Sequence, residues 1–253
     1  MLHDIILFLV GIVVGGMNAV AGGGMLLGFP VLLAFGMSPL AANITSNIVI
    51  LPGSVSSAYG YRAYLQKVNY RYLLLLVPCV VGAAIGALIL RHTSSTRFQQ
   101  IVPALVGFAV ILFAFQPVLH FHLRGHVFGI RKHVGSLVLV AIALLPAAIY
   151  GGYFGAGFGF VMLAFLGFTK LNEIHTMTGL KNLATSSIAL VSIICLYSTG
   201  LINWHLGLVM AAGCAVGGYY GALLTQKISS HVLRIIVVLI GVGTATYLAF
   251  RSY

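Results

Sequence analysis

Three consecutive glycines, Gly22-Gly23-Gly24, interrupt an apolar run of membrane length near the start of the chain. Each glycine costs a helix about 1 kcal/mol relative to alanine, so the run is not expected to continue as one unbroken helix. In lipid the backbone groups that a break frees must find partners, so a break survives only where protein or a polar cavity covers it. Two half-helices that meet inside a membrane form a binding site for a small polar or charged solute, and the sequence predicts such a site here.

The apolar segments around this break decide the class of protein. The chain has 253 residues, of which 60% are hydrophobic and 6% are charged, whereas a soluble domain carries about 25% charged residues. Many of its segments are long enough to cross a hydrocarbon core of about 30 Å. The sequence therefore predicts an all-α polytopic membrane protein.

The balance of charges indicates the kind of solute. Asp4 and Glu173 are the two acidic residues, against 13 Lys and Arg. Basic residues in short loops fit the positive-inside rule, and no motif for nucleic-acid binding accompanies them. Cation transporters generally use intramembrane carboxylates, which this chain nearly lacks, so a small anion is the predicted substrate. The cysteines lack metal-site spacing and no catalytic constellation appears, so no metal, cofactor or enzymatic activity is expected.

The order of the segments predicts an internal duplication. The second half follows the first at an offset of about 135 residues, as in the match of Gly22 with Gly157 and of Asn47 with Asn182. We predict a first repeat at 1–118, a basic linker loop at 119–133 and a second repeat at 134–253. Each repeat has a broken, re-entrant pair and three full spans, giving eight to ten helical segments: 5–20, 24–36, 41–61, 71–90 and 98–118, then 134–154, 158–169, 175–199, 205–226 and 231–250.

The distribution of Lys and Arg favours an inverted arrangement of the two repeats. If each broken pair returns to its starting side, the loop with Arg62, Lys67 and Arg71 lies on the same face as the linker. The corresponding loop of the second half, 199–205, has no Lys or Arg, as inversion requires. The positive-inside rule then predicts termini outside the cell and a cytoplasmic central loop.

Candidate substrate-binding residues lie at the two breaks and in the polar clusters of the spans that follow them. Backbone N–H groups at the start of a half-helix and the helix dipole together attract anions, and polar side chains add hydrogen-bond donors. The predicted set is Asn18, Gly22, Gly23, Gly24, Asn43, Thr45, Asn47, Gly157, Gly159, Thr178, Lys181 and Asn182. The structural alternative is that the glycines only permit close packing and the polar residues only join helices.

Lys181 is the most specific of these candidates, because a buried ammonium costs roughly 3 kcal/mol in a membrane. It could pair with an anionic substrate, pair with Glu173, or extend to the basic face. His175 lies near a span end, and histidine is the residue type that ordinarily changes charge near neutral pH, so His175 and Glu173 are candidates for proton coupling. An ordinary histidine at the membrane interface is the alternative for His175.

Two parts of the chain resemble a known family. The first repeat, with AVAGGGMLLGFP at 19–30, and the second, with HTMTGLKNLATS at 175–186 followed by GLINW, resemble the TauE/SafE sulfite-exporter family, also called the 4-toluene sulfonate uptake permease family. The resemblance implies a permease for sulfite, sulfonates or related organosulfur anions in the plasma membrane. Phe158 interrupts the second glycine break, so the two half-sites are not expected to contribute equally.

The leading hypothesis is a secondary transporter that binds its anion at mid-membrane and works by alternating access. The alternatives are a passive anion channel and a membrane scaffold without transport. The lipid bilayer and a small anion are the expected partners, and glycine-rich outer faces permit a homodimer.

Overall fold

The computed structural model describes residues 1–114 apart from Ala21, and residues 137–224 apart from Lys170 and Asn172. Every regular element in these ranges is helical, which confirms the predicted all-α class. The linker loop at 119–133 and the span at 231–250 lie outside the described residues.

The helices follow the predicted segments closely. In chain order they are α1 (Leu2–Val20), α2 (Gly24–Ala34), α3 (Pro39–Gly60), a short α4 (Arg62–Leu65), α5 (Leu76–Arg91), α6 (Ser95–Ala114), α7 (Leu137–Tyr153), α8 (Phe158–Gly167), α9 (Ile174–Leu196) and α10 (Trp204–Leu224), with 3-10 turns at Tyr70–Leu75 and Tyr197–Thr199. Five helical segments of the described residues have the length and composition to cross a membrane: Leu2–Val20, Tyr70–Arg91, Ser95–Leu112, Ile174–Thr199 and Trp204–Leu224. The protein is therefore a multi-pass membrane protein.

The first broken pair turns back on itself. Gly22 has a φ of +79°, a left-handed conformation that suits glycine. Beyond this turn α2 runs back along α1, since Gly24 packs against Val14 and the ring of Phe35 meets His3 with centroids 5.7 Å apart. With 11 residues, α2 is about 16 Å long, which is half the thickness of the hydrocarbon core. The pair is thus re-entrant and ends on the side where it began.

Helices α3 and α9 run antiparallel to each other. At the end of α3, Tyr61 stacks on His175 at the start of α9, with centroids 6.1 Å apart. Near the start of α3, the Thr45 hydroxyl accepts a hydrogen bond at 3.0 Å from the backbone N–H of Asn203, which follows α9. We call the face of the protein that contains Asn203 the N-terminal face, because His205 Nε2 lies 2.9 Å from Asp4 Oδ1 there. The face that contains Tyr61 is called the opposite face.

Glycine contacts join α1 to α10 and α5 to α7. In the first pair, a Cβ on Gly217 would collide with the Ile12 carbonyl oxygen. In the second, a Cβ on Gly86 would collide with the Ile149 carbonyl oxygen. Both glycines belong to small-xxx-small spacings, which allow helix backbones to approach this closely.

The Gly217 contact yields a test of packing. Because its neighbour is backbone rather than a flexible side chain, we expect Gly217→Ala to lower the thermal midpoint in detergent by about 5 °C or more. Gly107→Ala in α6 is the matched control, since a Cβ there has no neighbour within 4 Å. Equal midpoints for the two variants would contradict the close approach of α1 and α10.

Candidate functional site

The two helix breaks meet in the interior of the protein. A Cβ added at Gly22 would lie 2.7 Å from the Cα of Gly159, and a Cβ added at Gly159 would lie 2.7 Å from the Cα of Gly22. Both residues are buried. Because real Cβ contacts are not this short, the backbones of the two breaks touch at a point where only glycine fits.

The second break needs two left-handed residues rather than one. Gly155 has a φ of +80° and Gly157 a φ of +85°. Between them, the carbonyl of Ala156 accepts a hydrogen bond at 2.7 Å from the Tyr150 hydroxyl. Phe158 then begins α8 and Gly159 follows it. This break is therefore held by a side chain of its own helix pair.

A small cavity of about 20 Å³ lies beside the contact of the two breaks. Its polar border consists of the side chains of Asn18, Asn47 and Thr185, and both breaks border it through Gly22 and Gly159. A volume of this size holds about one water molecule. Any solute larger than water therefore requires the two breaks to move apart.

Lys181 is fully buried and binds the end of α1. Its ammonium donates hydrogen bonds to the carbonyl oxygens of Asn18 at 2.5 Å and Ala19 at 3.2 Å. These carbonyls belong to the last turn of α1, where the helix dipole is negative. The partners of Lys181 are thus backbone oxygens, and neither Glu173 nor the basic face supplies them.

Asn43 binds the end of α7 in the corresponding way. Its Nδ2 donates to the Tyr153 carbonyl at 2.9 Å, in the last turn of that helix. Asn182 adds a second donor to the end of α1, from its Nδ2 to the Ala19 carbonyl at 3.3 Å. Within the described residues, the buried Oδ1 atoms of Asn43 and Asn182 have no hydrogen-bond partner. Each break is therefore capped by a side chain from the other half of the chain.

Five of the predicted polar residues do not border the cavity: Asn43, Thr45, Thr178, Lys181 and Asn182. The Thr45 hydroxyl accepts from the N–H of Asn203, as described above, and the Thr178 hydroxyl donates to the Ile174 carbonyl of its own helix at 2.8 Å. Gly24 packs on α1, Gly23 precedes the first residue of α2, and Gly157 makes the second turn. These three glycines shape the breaks without bordering the cavity.

The two candidates for proton coupling lie toward the opposite face. The ring of His175 meets Tyr64 with centroids 4.9 Å apart, and it also stacks on Tyr61. Glu173 is exposed, and its carboxylate accepts from the Thr176 hydroxyl at 2.9 Å. At a rise of 1.5 Å per residue, the backbones of His175 and Lys181 lie about 9 Å apart along the axis of α9. The structure does not bring these residues into the cavity.

Several residues that border the cavity are outside the predicted set. They include Met25, Ile50, Gly155 and Thr185. The sequence could have indicated Thr185, because it follows Lys181 by four positions and residues four apart lie on the same face of a helix. The apolar residues carry no such signal, since their composition is that of any membrane helix.

Comparison with known proteins places this architecture in a family. The model of the family described as "Sulfite exporter TauE/SafE" matches residues 7–248. A "Probable membrane transporter protein" of Haemophilus influenzae is 30% identical over 243 residues, covering 92% of this chain and 89% of that protein. The "Probable membrane transporter protein YfcA" of Escherichia coli K12 is 29% identical over 251 residues, covering 98% and 90%. No solved structure matches the chain.

The fold and these relatives define a multi-pass membrane transporter. The chain belongs to the sulfite exporter TauE/SafE family. The resemblance carried by the motifs at 19–30 and 175–186 is thereby confirmed.

The cross-half cap on α7 leads to a prediction of stability. Asn43→Ala leaves the half-buried Tyr153 carbonyl without its donor, so we expect the free energy of unfolding to fall by about 1–2 kcal/mol. Asn47→Ala is the matched control, because the Asn47 amide donates only to carbonyls of its own helix, at 3.3 Å. Thermal unfolding in detergent measures both variants, and an equal loss in the two would contradict a cap specific to Asn43.

Proposed function

We propose that this protein is a secondary transporter of a small sulfur oxyanion, sulfite or an organosulfonate, which binds between the two breaks. The observation that carries the proposal is the contact of Gly22 with Gly159 beside a cavity with polar borders. The name of the family supports the choice of sulfite among small anions.

The half-helices supply the means to bind an anion. The first turns of α2 and α8 border the cavity through Met25, Phe158 and Gly159. A helix begins with backbone N–H groups that lack intrahelical partners, and the dipole there is positive. Asn18, Asn47 and Thr185 add polar side chains. The site thus combines half-helix N-termini and polar side chains from both halves of the chain.

Alternating access by two inverted repeats fits the directions of the helices. The first re-entrant pair begins at the N-terminal face, and α3 and α9, which follow the two broken pairs, are antiparallel. The contact of α1 with α10 has its counterpart in the contact of α5 with α7. Movement of α1 and α10 together against α5 and α7 would separate Gly22 from Gly159 and enlarge the cavity. The same motion would open it to one side of the membrane.

The breaks provide the test of this site. Gly159 lies inside a helix, so Gly159→Ala adds no backbone strain, but its Cβ would keep the two breaks from meeting. We expect uptake of radiolabelled sulfite or methanesulfonate into proteoliposomes to fall at least tenfold, because the empty transporter could no longer pass through the state in which the two breaks touch. A tenfold loss corresponds to about 1.4 kcal/mol. Gly107→Ala, in open surroundings, should keep the uptake of the unchanged protein.

Counterflow separates this proposal from a channel or a scaffold. A transporter preloaded with unlabelled anion should transiently accumulate the labelled anion, whereas a passive channel should not. A purified protein that gives no uptake of either anion would favour the scaffold. Uptake unaffected by Gly159→Ala would contradict the site itself.

We further propose a plasma-membrane location with the termini outside and the opposite face in the cytoplasm. Arg62, Lys67 and Arg71 follow Tyr61 at the opposite face, which suits the positive-inside rule. Crossing by Tyr70–Arg91 would bring Arg91 to the N-terminal face.

Cysteine labelling tests this orientation. Gln66→Cys, after α4, and Ser95→Cys, at the start of α6, replace exposed, uncharged residues at the two faces. The background has Cys195 replaced by serine. In intact cells, a membrane-impermeant maleimide should label position 95 and leave position 66 unlabelled until the cells are lysed. The reverse pattern would contradict the proposed orientation.

A further inference from the structure

We propose that Lys181 is the proton-coupling group of this transporter, and that the C-terminal end of α1 is a cation site which the chain fills with its own ammonium. This inference rests on the proposed function, because coupling has meaning only for a protein that moves an anion.

The chemistry of the site around Lys181 is that of a cation site. The ammonium is held by two backbone carbonyls, those of Asn18 and Ala19, at the negative end of a helix dipole. Beside them lies the amide of Asn182, whose Oδ1 is a buried acceptor without a donor in the described residues. In transporters with broken helices, half-helix C-terminal ends coordinate Na⁺ or H⁺, while N-terminal ends face the anion.

The equivalent place in the other half carries no charge. Ser46, the counterpart of Lys181 at the offset of 135 residues, donates to the Ala42 carbonyl of its own helix at 2.7 Å. The end of α7 is capped instead by the neutral amide of Asn43. Of the two breaks, the first therefore has a partner that can gain and lose a proton.

No carboxylate of the described residues balances Lys181. Both acids lie elsewhere: Asp4 contacts the N-terminal amine and His205, and Glu173 contacts Thr176. Around α9, the titratable and charged groups of the helices packed against it are Tyr59, Tyr61, Arg62 and Tyr64 toward the opposite face, Cys79 and Arg91 on α5, Tyr150 and Tyr153 on α7, and His3 and Asp4 at the far end of α1; α8 has none. Lys181 is also the one charged side chain among the described residues that is buried.

The position of Lys181 connects its proton to the movement of the breaks. A Cβ at Gly159 would lie 3.2 Å from Lys181 Cδ, and a Cβ at Gly22 would lie 3.4 Å from the same atom. The aliphatic part of the Lys181 side chain therefore lies against both breaks. As an ammonium, Lys181 makes charge-assisted hydrogen bonds to the end of α1 and offsets the charge of an anion in the adjacent cavity. When Nζ releases a proton to water, it becomes a neutral amine and those bonds weaken.

The resulting cycle moves a proton together with the anion. The protonated protein reorients with the anion bound, releases the anion and then the proton, and returns empty with Lys181 neutral. Exchange of labelled for unlabelled anion uses only the protonated, loaded form, so it needs no proton release. Net uptake needs the release of the proton in every cycle.

Proteoliposome uptake of sulfite or methanesulfonate, with the membrane potential clamped, tests this cycle. In the unchanged protein, acidifying the outside by one pH unit should raise the initial uptake rate at least fivefold over equal pH. Lys181→Arg keeps a permanent charge, so it should retain counterflow exchange and lose the response to the pH gradient. Lys67→Arg, an exposed loop variant, should respond as the unchanged protein does.

The outcomes separate the two proposals. If uptake and counterflow by the unchanged protein do not depend on the pH gradient, proton coupling is wrong and the proposed transport function is unaffected. This measurement does not require any variant to fold. A gradient response that survives in Lys181→Arg would overturn the role of Lys181. A response lost in His175→Gln or Glu173→Gln, but kept in Lys181→Arg, would move the coupling to that residue. No uptake of either anion would overturn the proposed function and the inference with it.

Discussion

The direct contact of two glycine backbones, Gly22 and Gly159, is the constraint on which the rest of this structure depends. Two helices can end face to face inside a membrane only if their freed backbone groups are satisfied and no side chain separates them. The chain meets the first condition with donors from the opposite half, Lys181 for α1 and Asn43 for α7. It meets the second with glycine at both contact positions.

The same contacts link packing to transport. Each cap joins a helix end in one half to a span in the other, so the two breaks cannot separate without disturbing a hydrogen bond. One of these caps is a charge-assisted bond from a buried ammonium and the other is a neutral amide bond, so the two breaks differ in strength. Two further packing interfaces, α1 with α10 and α5 with α7, rest on small residues and hold these helices close together around the breaks.

Much of the fold could be predicted from the sequence, because glycine interruptions and membrane-length apolar runs report directly on where helices begin and end. The breaks at Gly22 and Gly157, and the spans that follow them, lie where the pattern indicates. The partner of Lys181 could not be predicted, since it is a backbone carbonyl 163 positions away. Every residue has a backbone carbonyl, so the sequence does not show which one binds Lys181. Thr45 and Thr178 show the same limit: their residue type matches that of Thr185, but only packing decides which of them borders the cavity.

A crystal structure grown with selenite, a heavier analogue of sulfite, measures the central claim most directly, because selenium gives an anomalous signal of its own. We predict a single strong peak between the two breaks, with Gly22 and Gly159 farther apart than in the present structure. A peak elsewhere in the protein, with the two glycines still in contact, would contradict it.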